Sequence, residues 1–337
     1  KSLLPRARQR PAVSSVQERE AADAGSPGAS AFPILRTMTT LRSHAPTIAC
    51  FGEALWDILP RGLFLGGAPL NVAYHLSRQG ARAALITALG RDFLGDEAFR
   101  RIASWGVNVR FVARLAAETT GVVRASLDAA GGASYDIARK VAWDRIAAAR
   151  ALLQSPAPHA LVFGTLALRE VPNRRALDRL LAAWPQTWRV LDLNLRAPFD
   201  DEPALAFALQ HAQFVKLNDD ELARMTGARV KTTRQLEKAA REFAVTHRLN
   251  RVCVTAGARG AGLWWEGAWF WEPAQPVAVR DTVGAGDAFL AAFLVAHLAG
   301  RATPPEALAK ACRLGEFVAA RDGATPPYQL DARGQPR

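Results

Sequence analysis

The sequence predicts an α/β fold built on a mostly parallel β-sheet whose two faces are covered by helices. From residue 47 onward, short apolar segments with strand character alternate with longer segments of helical periodicity. Half of the 337 residues are hydrophobic, which is enough for one large core. Such alternation is typical of parallel sheets, because each strand-to-strand crossover supplies a covering helix. The predicted strands are 47–52, 83–88, 160–166, 188–194, 213–217 and 251–255, and the predicted helices are 70–79, 95–104, 172–183, 203–210, 219–226, 233–246, 287–299 and 304–321.

The N-terminal segment differs in composition from the rest of the chain. It is rich in Pro, Ser, Ala and Arg, without any hydrophobic period. We therefore expect residues 1–46 to be a disordered extension and residues 47–330 to form one folded domain. The segment lacks the apolar core of a secretory signal, and its acidic residues argue against a mitochondrial transit peptide.

The charge balance invites a nucleic-acid hypothesis that the residue pattern does not support. The formal net charge is +12 and the pI is about 10.5, values typical of nucleic-acid-binding proteins. Only six of the 43 basic residues are Lys, and the arginines are spread along the chain, so a solvated basic surface is expected. The three cysteines are far apart, and no apolar run reaches membrane-spanning length. We expect a cytoplasmic protein with neither a nucleic-acid nor a membrane partner.

The most informative motif is Asp-Thr-Val-Gly-Ala-Gly-Asp-Ala-Phe at residues 281–289. A turn of small residues, Gly284, Ala285 and Gly286, precedes an apolar helix that opens at Asp287. Helix N-termini offer unpaired N–H groups to anions, and glycines let an anion approach the backbone. A carboxylate beside an anion site can take the proton from a hydroxyl that attacks a phosphoryl group. In isolation, the same pattern would also fit a plain turn with Asp287 as the helix N-cap.

Two N-terminal segments carry candidate ligand-binding residues. Asp57 follows the first strand, where a carboxylate can accept hydrogen bonds from neighbouring sugar hydroxyls. Gly66 and Gly67 let the backbone approach a ligand, and Asn71, one turn into the next helix, offers a donor and an acceptor. The alternatives are a solvated loop for Asp57 and a loop-to-helix junction with an exposed side chain for Asn71.

A third segment, at residues 191–196, ends a predicted strand. Alternation places Asp192, Asn194 and Arg196 on one face of that strand. Polar groups in a buried strand are costly unless they bind each other or a ligand. Arg196 is suited to neutralising phosphoryl charge, and a buried ion pair between Asp192 and Arg196 is an equally supported alternative.

Two later segments are weaker signals when taken alone. Asn218 and Glu221 have the spacing of a capping box at a helix start. Further on, a strand ends at Thr255, and Gly257 and Gly260 follow it in a glycine-rich turn, which is a common pattern. The G-x-G-x-x-G fingerprint of dinucleotide binding is absent from this turn.

Together these motifs resemble the ribokinase-like family of carbohydrate kinases, also called the phosphofructokinase-B type. The resemblance covers about residues 47–327, and the segment Leu-Gly-Gly-Ala-Pro-Leu-Asn-Val-Ala at 65–73 has the form of the fructokinase branch. It implies a three-layer α/β/α fold with a small β-sheet lid from about 57–66 and 111–137. It also implies ATP-dependent phosphorylation of a sugar hydroxyl.

The resemblance assigns a role to each motif. Asp287 is implied as the general base, and the amides of Gly284, Ala285 and Gly286 as an anion hole that extends over 284–287. The implied sugar-binding residues are Asp57, Gly66, Gly67, Asn71, Asn194 and Arg196. The implied residues for ATP and its Mg²⁺ are Asn218, Glu221, Thr255, Gly257 and Gly260, with Glu221 holding the metal through water.

Several alternatives stay open at this level. The acceptor could be fructose, ribose, 2-keto-3-deoxygluconate or a nucleoside, or the chain could be a non-catalytic sugar or nucleotide sensor. The segment at 323–327 resembles the family's C-terminal loop, which implies a potassium effect. The resemblance also implies a homodimer formed through the lid.

Overall fold

A computed structural model describes most of the domain predicted from the sequence. The described residues are 45–59, 62–127, 133–199, 202–300 and 302–337. The expected N-terminal extension, apart from its last two residues, lies outside them.

The described elements alternate as the sequence predicts. The strands are β1 (Thr47–Phe51), β2 (Leu55–Leu59), β3 (Gly62–Gly66), β4 (Arg82–Gly90), β5 (Val112–Leu115), β6 (Gly121–Leu127), β7 (Ala133–Ile137), β8 (Ala160–Gly164), β9 (Trp188–Asp192), β10 (Phe214–Asn218), β11 (Arg251–Thr255), β12 (Gly260–Trp265) and β13 (Ala268–Pro273). The helices are α1 (Ala68–Arg78), α2 (Phe93–Ser104), α3 (Arg150–Leu153), α4 (Val171–Ala183), α5 (Glu202–His211), α6 (Asp219–Thr226), α7 (Thr233–Thr246), α8 (Ala285–Leu298) and α9 (Pro304–Ala319). Short 3₁₀ helices lie at Ala142–Arg145, Leu166–Arg169 and Gly257–Arg259.

A large sheet of nine strands forms the centre of the fold, in the order β13-β12-β11-β10-β9-β8-β1-β4-β5. Every pairing from β11 to β5 is parallel, while β12 and β13 add an antiparallel hairpin at one edge. The parallel strands are short and buried, as expected for strands covered on both faces. The prediction of a mostly parallel sheet is confirmed.

Helices cover both faces of this sheet, which gives the three layers. On one face, Leu177 of α4, Leu222 of α6 and Leu236 of α7 pack into one apolar cluster. On the other face, α1, α2, α8 and α9 supply a second cluster. The rings of Phe214 and Phe293 stack there at 5.2 Å, which fixes α8 against β10.

A separate sheet of four strands, in the order β3-β2-β6-β7, corresponds to the predicted lid. Its strands were placed at about 57–66 and 111–137, and the second range begins too early. Val112–Leu115 pairs in parallel with β4 and extends the large sheet, so the second lid segment starts at Gly121. The sequence did not show that β5 and β6 belong to different sheets, because both strands are short and lie between turns.

Several candidate site residues lie at or just beyond the carboxyl ends of the parallel strands, where ligands bind in such sheets. Strand β9 ends at Asp192, β10 at Asn218 and β11 at Thr255, while α8 begins at the same edge. Among the described residues, no helix is both long enough and apolar enough to cross a membrane.

Candidate active site

The N-terminus of α8 is an open helix start. The helix begins at Ala285, two residues earlier than predicted, with Gly284 as its N-cap at φ 78°. Asp287 is therefore the third residue of the helix, and its alternative interpretation as the N-cap is wrong. A Cβ on Gly284 would lie 2.5 Å from the backbone of Ala324, so both conformation and space require glycine.

The first turn of α8 presents N–H donors to the site. Ala285 N–H donates to the carbonyl of Thr282 at 3.3 Å, and Ala288 N–H donates to the carbonyl of Gly284 at 2.9 Å. The N–H groups of Gly286 and Asp287 lie between these two donors, in the first turn, where the helix offers no carbonyl acceptor to its N–H groups. The cap contributes no side-chain acceptor either. Such a start can bind an anion through backbone donors and the helix dipole.

A hydrogen bond joins this turn to α1. Asn71 Nδ2 donates to Asp287 Oδ2 at 2.8 Å, and both side chains are buried. The structure thus brings together two residues that the sequence places 216 positions apart. No donor among the described residues is bonded to Asp287 Oδ1, so this oxygen can accept the proton of a hydroxyl.

The surroundings of Asp287 set its basicity. The pKa of Asp287 is raised to about 6, mainly by burial and also by the nearby Asp192 carboxylate, against the opposing effects of Lys216, Asn71 and Arg196. A carboxyl group with this pKa is mostly ionised at neutral pH and remains a stronger base than an exposed aspartate.

A buried ion pair that sequence analysis missed lies beneath the open start. Lys216 Nζ donates to Asp192 Oδ1 at 2.9 Å, with side chains 9% and 4% exposed. A Cβ on Gly286 would lie 2.8 Å from Lys216 Nζ, so the ammonium touches the anion turn. Burial lowers the pKa of Lys216, but the carboxylates of Asp192 and Asp287 outweigh it and the net shift is upward. The feature of the sequence that could have indicated this ion pair is the lysine within the buried strand Phe214–Asn218.

This pair corrects the alternative pairing of Asp192 with Arg196. Strand β9 ends at Asp192, and Asn194 turns away with φ 42°, so alternation does not continue to Arg196. Arg196 is exposed. Its charge nevertheless opposes the rise in the pKa of Glu53, Asp57 and Asp287, so Arg196 acts electrostatically on all three carboxyl groups.

Asp57 and the two glycines lie where β2 and β3 meet α1. Asp57 is in β2 of the small sheet, and a Cβ on Gly66 would lie 2.5 Å from its Oδ2. A Cβ on Gly67 would lie 2.6 Å from the carbonyl oxygen of Glu53, and Gly67 has φ 111°. Burial raises the pKa of Asp57 to about 6, against the opposing charge of Arg196. Here glycine lets a carboxylate and the backbone come into direct contact.

Glu53 is a second residue that the sequence did not single out. It is 3% exposed, and burial raises its pKa to about 7, although the backbone N–H of Ala68 donates to it. Three buried acceptor oxygens around Asp287 have no partner among the described residues: Glu53 Oε2, Asn71 Oδ1 and Asp192 Oδ2. Unpaired buried acceptors are costly, so donors such as sugar hydroxyls would relieve them.

Asn218 and Glu221 form the capping box considered from the sequence. Asn218 Oδ1 accepts from Glu221 N–H at 2.7 Å, and Glu221 Oε2 accepts from Asn218 N–H at 2.8 Å. Glu221 Oε1 also accepts from Leu195 N–H at 2.8 Å, which fixes the loop next to Arg196. Each carboxylate oxygen of Glu221 retains one lone pair, enough to accept from a metal-bound water.

The glycines beyond β11 differ from each other. Gly257 is exposed at φ 55°, and a Cβ there would meet no described atom within 4 Å, so space is open around it. Gly260 is buried, and a Cβ there would lie 2.9 Å from the backbone of Ala274. The structure explains Gly260 by strand packing. Thr255 is half-buried at the end of β11.

The loop at 323–327 packs against the anion turn. Gly323 N–H donates to Asp281 Oδ2 at 3.1 Å. His75 Nε2 donates to the Ala324 carbonyl at 2.9 Å, and Tyr74 OH donates to the Pro326 carbonyl at 2.8 Å. Helix α1 therefore holds both Asp287 and the loop that touches Gly284. Within the described ranges, no three His, Cys, Asp or Glu side chains gather as a metal-binding group.

Comparison with known proteins gives a consistent result. Residues 61–330 match the model of the pfkB family carbohydrate kinases. A fructokinase of Klebsiella pneumoniae is 31% identical over 302 residues, 83% of this chain and 96% of that protein. The fructoselysine 6-kinase of Escherichia coli is 30% identical over 283 residues, 78% of this chain and 94% of that protein. A solved fructokinase with bound ATP from Xylella fastidiosa has a TM-score of 0.70 at 24% identity, covering 83% of this chain and 94% of that one.

Proposed function

The chain belongs to the pfkB family and is a carbohydrate kinase, and from that premise we propose that it transfers the γ-phosphoryl group of ATP to a hydroxyl of fructose or a related ketose. One observation carries this proposal: the hydrogen bond from Asn71 to Asp287 at the open start of α8. It joins the segment that resembles fructokinases to the carboxylate that can act as the base.

Asp287 accepts the proton of the attacking hydroxyl through Oδ1, while Asn71 holds Oδ2. The amides of residues 284–287 face the charge that develops on the transferred phosphoryl group, and Lys216 adds positive charge beneath them. Because the lysine is already paired with Asp192, its position is fixed before the substrates bind.

The sugar would bind between α1, the small sheet and Arg196. Asp57, Gly66, Gly67 and Asn71 line this space, and their acceptor oxygens suit a polyhydroxy ligand. Glu53 would add a further acceptor. Arg196 and Asn194 approach from the loop after β9, where a guanidinium can offset phosphoryl charge. Closure of the small sheet over the sugar would exclude water, which competes as a phosphoryl acceptor.

ATP would bind along the carboxyl ends of β10 and β11. The relative from Xylella fastidiosa was solved with bound ATP, and we extend that ligand to this chain at Asn218, Thr255 and Gly257. Gly260 would act indirectly, by shaping the turn. Mg²⁺ would be held through water by Glu221, and when bound it neutralises phosphate charge. A potassium effect through the loop at 323–327, and a homodimer through the small sheet, are further parts of the proposal.

The test is ADP release from Mg-ATP across a panel of fructose, fructoselysine, ribose, 2-keto-3-deoxygluconate, adenosine and no acceptor, with and without potassium. We expect acceptor-dependent release that is fastest with a ketose. Release that is fastest with ribose or adenosine would move the substrate class. Sugar binding without release for any acceptor would favour a sensor instead of a kinase.

A further inference from the structure

A buried cluster lies where the small sheet joins the large domain. We call Trp143, Asp144, Arg169 and Phe199 the root cluster. None of them is among the residues assigned to sugar, phosphate or metal. All four side chains are buried, and they come from three separate segments of the chain.

Arg169 is the centre of this cluster. Its Nε and Nη2 atoms donate to the two oxygens of Asp144, each at 2.9 Å, and the side chains are 5% and 1% exposed. The guanidinium carbon lies 4.1 Å from the ring centroid of Trp143 and 4.5 Å from that of Phe199. Two-point pairing and ring contacts fix the orientation of a guanidinium in a way that an ammonium cannot reproduce.

The cluster holds the base of the β6–β7 hairpin. Arg169 Nη2 donates to the carbonyl of Ala138 at 2.7 Å, and Ala138 directly follows β7. Trp143 packs on Gly121, the first residue of β6, where a Cβ would lie 2.6 Å from the indole Cδ1. The points at which the chain enters and leaves this hairpin are therefore both fixed by the cluster.

The same cluster holds the turn that carries Arg196. Phe199 N–H donates to the carbonyl of Arg196 at 2.7 Å, which closes the turn. The Phe199 ring is contacted by Arg169 and by Arg139, whose guanidinium carbon also lies 4.5 Å from the centroid. Arg139 follows β7 by two residues. One aromatic ring thus links the exit of the small sheet to the Arg196 turn.

Both segments contacted by the cluster contain a non-glycine residue in the left-handed backbone region. Lys140 has φ 55° and Asn194 has φ 42°, and neither is glycine. Such conformations persist where the surrounding contacts impose them. The cluster contacts segment 138–141 through Ala138 and Val141, and it contacts segment 193–199 through Phe199.

We propose that Arg169 is a positioning residue that couples the small sheet to the Arg196 turn, so that the lid and the Arg196 guanidinium are placed together. Arg169 does not touch the sugar or the phosphate. The inference deepens the proposed function, because it rests on a sugar that binds between these two parts.

The test uses Arg169→Lys, which keeps the charge and loses the two-point pairing, and Phe199→Leu, which leaves the ion pair intact. Arg313→Lys is the matched control, because Arg313 also pairs with a carboxylate (Glu272, 3.2 Å) and donates to a carbonyl (Pro273, 3.1 Å). The readouts are amide hydrogen exchange of 137–141 and 193–199, and the kinetic constants for sugar and ATP.

Arg169→Lys should speed exchange in both segments together and raise the sugar KM about tenfold, with a smaller change in the ATP KM. Phe199→Leu should speed exchange in 193–199 more than in 137–141, and Arg313→Lys should change neither. Faster exchange in one segment alone for Arg169→Lys, or an unchanged sugar KM, would overturn the proposal. Exchange needs no activity, so failure of the kinase assignment would be seen separately, as absence of ADP release by the unaltered protein.

Discussion

Helices α6 and α8 both begin at the carboxyl edge of the sheet with an acidic residue in the third position, and their starts are built in opposite ways. At α6, Asn218 and Glu221 satisfy each other's N–H groups, and Glu221 also binds Leu195 N–H. At α8, the cap is Gly284, which has no side chain, and Asp287 is bonded to Asn71 of another helix.

In the proposed function, this difference corresponds to a structural role for the start of α6 and a chemical role for the start of α8. We call the start of α6 closed, because its N–H donors and its carboxylate are bonded to the local backbone. Such a start supports a loop and would reach a metal only through water. An open start keeps N–H donors for an anion and one carboxylate oxygen for a proton. An acidic residue at the same helix position can thus serve different purposes, according to what caps the helix.

The largest expected effect comes from removing the proposed base at the open start. Asp287→Asn keeps the size of the side chain and can keep the contact with Asn71, but it cannot take a proton at neutral pH. We expect kcat to fall at least ~100-fold, the scale of general-base catalysis. Steady-state ADP release would measure it, and an unchanged melting temperature would show that folding is intact.

Substitution within the open turn should have the next largest effect. Gly286→Ala places a Cβ 2.8 Å from Lys216 Nζ, so the lysine or the turn must move. We expect kcat to fall about 10- to 100-fold, because the amides that face the phosphoryl group are displaced. A variant with unchanged kcat would show that the turn does not contact the transferred group.

The pH dependence distinguishes the charges around the open start. A base with a pKa of about 6 loses activity as pH falls through that value. Lys216→Met removes a charge that favours the ionised base, so the acid limb of kcat/KM should move to higher pH. Asp192→Asn removes a charge that disfavours it, so the limb should move to lower pH. The charged, titratable or hydrogen-bonding groups that interact with Asp287 are Cys50, Glu53, Asn71, Asp192, Arg196 and Lys216.

The two shifts have opposite signs, and that is what makes them informative. A general loss of packing would lower activity in both variants without separating the limbs. Profiles that move in the same direction would contradict the assignment of Asp287 as the titrating base.

The smallest effects are expected at the closed start. Asn218→Ala removes an N-cap and should lower the free energy of unfolding by about 1 kcal/mol, measured by urea denaturation. Glu221→Gln retains an acceptor oxygen, so kcat should fall less than about tenfold while the Mg²⁺ concentration for half-maximal activity rises. A loss of activity on the scale of Asp287→Asn would mean that this start takes part directly in the chemistry.

Local sequence patterns predicted most of the fold and the turns that carry the motifs. The alternation of apolar strands and amphipathic helices is a property of each segment, and so is the glycine-rich turn before α8. The sequence also indicated both interpretations of Asn218 and Glu221, since a capping box depends on residues three positions apart.

Contacts between distant segments could not be predicted in the same way. Lys216 contacts Asp192 because β9 and β10 are adjacent in the sheet. The order of strands in a sheet cannot be predicted from the residues of either strand alone. The mistaken pairing of Asp192 with Arg196 came from continuing strand alternation past the end of β9. Glu53 was overlooked because its surroundings include the start of α1, whose Ala68 N–H donates to it.

The most direct test of the central claim is a ratio: the single-turnover rate of phosphoryl transfer for Glu221→Gln divided by that for Asp287→Asn, at saturating Mg-ATP and acceptor. If the open start of α8 supplies the base and the closed start of α6 has a structural role, the ratio should be at least about 10. A ratio near one would contradict the account, because the two acidic residues would then contribute equally to the chemical step.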